Sequence, residues 1–138
     1  VLQKLIIYLR FKHLFTHVCH NMVSGKTFFE DHEFLGSLYS QAEGWYDDLV
    51  ERSLGLGQDV DLVDVQKKAA AYLGEVKIDF SNNDACFQVI LKITKELCRE
   101  IEVCVNSKTL SQGTIQLLGD IANFEEKNIY KLERRLKS

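Results

Sequence analysis

No proline occurs anywhere in the 138 residues, so the strongest helix breaker is missing from the whole chain. That absence leans towards an all-α fold. Cys19, Cys86, Cys98 and Cys104 form no C-x-x-C pair. Cys98 and Cys104 fall within an apolar helical stripe, where cysteine acts as a small buried hydrophobe. Reduced structural thiols and a cytoplasmic setting are therefore expected. Basic charge is not in excess either. With a net charge of -3, no global basic field draws the chain to DNA or to a membrane. The apolar stretch 1–11 is interrupted by Lys4 and Arg10, which excludes a signal core and a spanning helix. The chain opens on Val1 rather than methionine, so residues ahead of it are expected.

What is present fits one domain, long enough to bury a single core without disulfide or metal staples. Periodicity and caps predict a first helix over about 2–23, ended by Ser24-Gly25. Thr27 and Glu30 form a T-x-x-E capping box for a second helix that starts near 28 and runs to 54. Gly55 and Gly57 supply its stop. A short helix over 66–73 follows, opened by Asp61 and Asp64 and closed by Gly74. A fourth segment, about 83–105, carries apolar residues at 87, 90, 91, 97, 98, 101, 104 and 105, one buried face. Thr109 and Gln112 mark a capping box for a last helix over about 113–136, with Ile115, Leu118, Ala122, Ile129, Leu132 and Leu136 inward. The order predicts an all-α, ferritin-like four-helix bundle with a short extra helix in the crossover between its second and third long helices. The basic end of the last helix (Lys127, Lys131, Arg134, Arg135, Lys137) reads as a solvated face beside the helix C-terminal dipole. Gly36 and Gly44 are expected to mark close helix crossings.

Metal-capable side chains concentrate between positions 17 and 51. His17 and His20 share a face of the first helix, and His32 lies across the connecting loop. Asp47 and Glu51, one turn apart on the second helix, present two carboxylates to one cation. Fifteen residues separate His32 from Asp47, about 22 Å along a helix, so they cannot share an ion within one chain. Two copies placed antiparallel about a two-fold axis bring the histidines of one against the carboxylates of the other, and make two identical sites at once. The usual ferritin centre needs E-x-x-H on an inward helix face. No glutamate lies three residues before any of the four histidines.

The stretch from His17 to Tyr39 resembles the H-W-N-V-x-G-x-x-F-F-x-L-H-x-x-x-[DE]-x-L-Y signature of the Dps family, the DNA-binding-protein-from-starved-cells miniferritins. The likeness includes the interval of twelve between His20 and His32 and the Phe28-Phe29 pair. Asp47-Asp-Leu-Val-Glu51 matches the family's D-x-x-A-E. Gly113-Thr114, Leu117-Leu118 and Glu126-Lys127 are similar to its final-helix pattern.

The resemblance implies that His20 and His32 bind iron from one subunit, with Asp47 and Glu51 bridging or chelating it from the partner. It also implies a hollow dodecamer that oxidises Fe2+, with hydrogen peroxide or oxygen, and stores the ferric product. His17 is expected to pack beside the ligands, and His13 to be a surface or interface histidine. Three positions depart from the pattern. Gly36 stands where the family has a further acid. Asn21 stands where an aromatic follows the first histidine, with Trp45 the candidate to compensate. Ser111 and Gln116 replace acids of the final helix, so no acidic iron entry pore is expected. The competing expectation is a ferritin-like shell or interaction protein with a degenerate metal site. DNA binding is not expected, because a basic tail is missing and phosphate neutralisation would be weak.

Overall fold

The structure is a computed structural model describing residues 2–137. Five helices follow one another: α1 (Gln3–Met22), α2 (Phe28–Gly55), α3 (Leu62–Glu75), α4 (Asn83–Asn106) and α5 (Gln112–Leu136). The all-α expectation and the short helix in the crossover both hold, although α3 is longer than its periodicity indicated and runs one residue past Gly74.

Side-chain caps set three starts. Asp61 accepts the Asp64 N–H at 3.0 Å, Asn82 that of Ala85 at 3.1 Å and Ser111 that of Thr114 at 3.2 Å, each worth about 1 kcal/mol. Neither predicted capping box forms. Thr27 precedes α2 without capping it, because its hydroxyl donates to Asp31 Oδ2 instead. Thr109 pairs with the Ser107 hydroxyl, which leaves the cap of α5 to Ser111. Gly25 and Gly57 adopt φ of 86° and 75°, the left-handed turns that end α1 and follow α2 and that glycine enters without strain.

Two apolar clusters fill the bundle. One joins Leu5, Ile6 and Leu9 of α1 to Leu49 of α2, Leu97 and Ile101 of α4, and Leu118 and Ile121 of α5. The other joins Phe15 and Cys19 of α1 to Leu35 and Leu38 of α2, Phe87 and Ile90 of α4, and Leu132 of α5. Early α1 thus meets late α2, so these two helices are antiparallel, whereas α2 and α4 run parallel. Parallel neighbours need a connection that travels the length of the bundle, and α3 lies in it.

Between the clusters the interior turns polar. Lys12, Thr16, Thr94, Glu125 and Asn128 are all buried. The inward stripe of α5 is therefore Thr114, Leu118, Ile121, Glu125, Asn128 and Leu132. Ile115, Ala122, Ile129 and Leu136 flank it, half-buried, which corrects the purely apolar face expected for this helix. Gly36 does mark a close approach, but a Cβ on Gly44 would meet nothing within 4 Å.

Candidate metal centre

The turn between α1 and α2 is held from outside. Asn83, at the start of α4, accepts the Ser24 N–H at 3.1 Å and donates to the Ser24 carbonyl at 2.8 Å and to Asp31 Oδ2 at 3.0 Å. Arg135 closes on Asp31 in a bidentate pair, Nε to Oδ1 at 3.1 Å and a terminal nitrogen to Oδ2 at 2.9 Å. Burial opposes the charge on Asp31, yet hydrogen bonds from Arg135, Thr27 and Asn83 hold its carboxyl below the usual range. Arg135 also reaches Asp84 at 2.9 Å. It thus leaves the solvated basic face in which the sequence placed it and ties the end of α5 to α2 and α4.

This frame brings His20 and His32 together. Their rings stack 3.6 Å apart at 18°. His20 Nδ1 lies 2.6 Å from the His32 carbonyl and His32 Nδ1 lies 2.7 Å from the His20 carbonyl. A carbonyl only accepts, so each Nδ1 is the donor, and it is Nε2 that carries the lone pair in the neutral form of each ring. That is how histidines are prepared as ligands: the second nitrogen is tied to a backbone carbonyl and fixes tautomer and ring orientation. Phe28 stacks on His32 at 4.9 Å.

The aromatic beside His20 is Tyr39, 5.2 Å between ring centres. Tyr39 also stacks on His17 at 4.3 Å. Trp45 does not fill the place left by Asn21 within the chain, because it packs on Phe124 in the other half of the bundle. Tyr39 was legible in principle: it lies seven residues after His32, two turns along the same face of α2.

Asp47 and Glu51 lie far along α2, both exposed. Neither has a hydrogen-bond or ionic partner among the described residues, so their oxygens are free to accept. Among the described residues, no group of three or more histidine, cysteine, aspartate and glutamate side chains converges within the chain. The histidine pair and the carboxylate pair stay apart, by about 22 Å of helix.

At the polar middle of the bundle, the Lys12 ammonium and Glu125 form an ion pair in which both side chains are 2% exposed. Asn128 donates to the other Glu125 oxygen at 2.7 Å. Neither residue stands out in the sequence taken singly, although Lys12 and Glu125 fall on the inward stripes of α1 and α5.

The family model of the ferritin-like domain matches residues 2–138. The chain belongs to the ferritin-like domain family. A search of curated proteins returned no match. Iron binding and storage is the role that membership suggests, and ferritin-like proteins generally oligomerise. Carboxylate–histidine centres of ferritin-like bundles lie between the helices, and here the Lys12–Glu125 pair is buried between them. Its ammonium already supplies the positive charge that Glu125 needs. Among the described residues, no helix is long and apolar enough to cross a membrane.

Proposed function

We propose that the chain is a miniferritin subunit of the Dps type that oxidises Fe2+ at a site shared by two copies. His20 and His32 come from one copy, and Asp47 and Glu51 from the other. The observation that carries this reading is the reciprocally locked histidine pair, two Nε2 lone pairs fixed by the opposite residue's carbonyl. Unpartnered carboxylates at the far end of α2 support it, because an antiparallel two-fold dimer brings them to the histidines.

Iron is substrate and cargo here. Imidazoles hold the ferrous ion, while hard carboxylate oxygens favour the ferric one, so the mixed set favours oxidation. Two Fe2+ deliver two electrons to one hydrogen peroxide, which takes up two protons and leaves as two waters. The ferric product is then stored inside a closed oligomer, a dodecamer if the Dps resemblance extends to assembly. None of Cys19, Cys86, Cys98 and Cys104 is in a disulfide, which suits a reducing compartment such as the cytoplasm.

The test is anaerobic Fe2+ loading followed by peroxide, read as ferric absorbance. A rise well above the buffer blank is expected, with two Fe2+ consumed per peroxide. A rate equal to the blank would favour a shell protein with a degenerate site, which the glycine at position 36 would then explain.

A further inference from the structure

A second pair of histidines lies on α1, outside the set proposed above. His13 and His17 are one turn apart with ring centres 6.0 Å from each other. His13 Nδ1 lies 3.0 Å from the Tyr39 carbonyl, so by the same rule Nδ1 is the donor and Nε2 is the ligand nitrogen of the neutral ring. His17 is exposed, has no hydrogen-bond partner among the described residues, and rests against the Tyr39 ring. Histidines four apart on one helix face are an established way to chelate a first-row divalent ion. Imidazoles on one tetrahedral ion hold their ring centres about 5 Å apart, given metal–nitrogen bonds near 2 Å. Rotation of the exposed His17 by about 1 Å closes that difference.

We infer that His13 and His17 form a separate binding site for a borderline divalent cation such as Co2+, Zn2+ or Fe2+, with solvent completing the coordination. Nitrogen donors select these ions over Mg2+ and Ca2+. Unlike the shared centre, this site is complete within one chain. An ion held there lies beside His20, whose ring centre is 6.3 Å from that of His17.

The probe is Co2+ alone, followed by calorimetry and by the paramagnetic shifts of imidazole protons. In the full chain carrying His20→Ala and His32→Ala, one Co2+ per chain is expected to remain. Adding His13→Gln should weaken that binding at least about tenfold, the scale seen when a supporting partner of a metal site is lost. If the double variant does not fold, His13→Gln in the otherwise intact chain should lower the Co2+ stoichiometry by one per chain. Co2+ binding that is unchanged by His13→Gln overturns the inference, as does its loss on removing His20 and His32 from a folded chain. Failure of the shared centre is read elsewhere, as ferrous oxidation in wild type that is unaffected by Asp47→Ala and Glu51→Ala.

Discussion

Gly36 lies directly against His20: a Cβ added there would come within 3.1 Å of the imidazole Cε1 and 3.3 Å of Nδ1. The absent side chain therefore makes room for the ring that stacks on His32. His20 cannot yield freely, because the same Nδ1 is bonded to the His32 carbonyl.

Gly36→Ala and Gly44→Ala should consequently part company. Both gain about 1 kcal/mol of helix propensity. At Gly44 the new methyl meets nothing, so the gain should appear in full as a higher urea midpoint. At Gly36 the displaced ring should offset the gain and lower Fe2+ affinity. Equal stability and equal iron binding in the two variants would show that the contact does not constrain His20.

Helix order, the short helix in the crossover, and the nearness of His32 to His20 were legible because each follows from local periodicity or from an interval along one chain. The reciprocal Nδ1 bonds were not, because they depend on how closely two helices cross. Capping boxes failed for a related reason. Thr27 and Thr109 have the right spacing, but Asp31 and Ser107 compete for their hydroxyls, and spacing carries no information about competitors. Lys12 and Glu125 look like surface charges when taken singly. Only their registration on two inward stripes, one on α1 and one on α5, marks them as a buried pair.

Removing one member of that pair should be far worse than removing both. A charge left alone in the bundle interior costs about 3–5 kcal/mol, whereas apolar replacement of both partners is often neutral. Lys12→Met and Glu125→Leu should each lower the unfolding free energy by that amount, and Lys12→Met/Glu125→Leu by distinctly less than their sum. Urea denaturation of the three variants measures this directly. Additive losses in the double variant would mean that the pair is not energetically coupled.

Acid sensitivity should trace in part to Asp31. Its folded pKa is depressed, so the native state binds its proton less readily than the unfolded chain, whose value is about 3.9. The stabilisation is then fully present above that value and is lost as pH falls through the lower, folded one. Asp31→Asn should cost about 2 kcal/mol at neutral pH, as a buried ion pair is broken while Arg135 stays partly solvated. The gap between the two proteins should narrow below about pH 4. A gap that stays constant down to pH 2 would assign the acid response to other carboxylates.

Sharing of the iron site between copies can be tested with two inactive proteins. His20→Ala/His32→Ala keeps its carboxylates, and Asp47→Ala/Glu51→Ala keeps its histidines. In a mixed dimer, one interface site pairs intact histidines with intact carboxylates, while the other site loses all four groups. Random pairing after co-expression makes half of the dimers mixed, so about a quarter of the wild-type sites should return. Each variant alone should oxidise no Fe2+ above the blank. Co-expression or refolding is required, because closed shells would exchange subunits slowly. Recovery near a quarter supports a site built across the two-fold axis. No recovery in verified mixed dimers, with both variants folded and assembled, would move iron binding back within a single chain. The His20–His32 pair would then have to find its remaining ligands among solvent and its own neighbours.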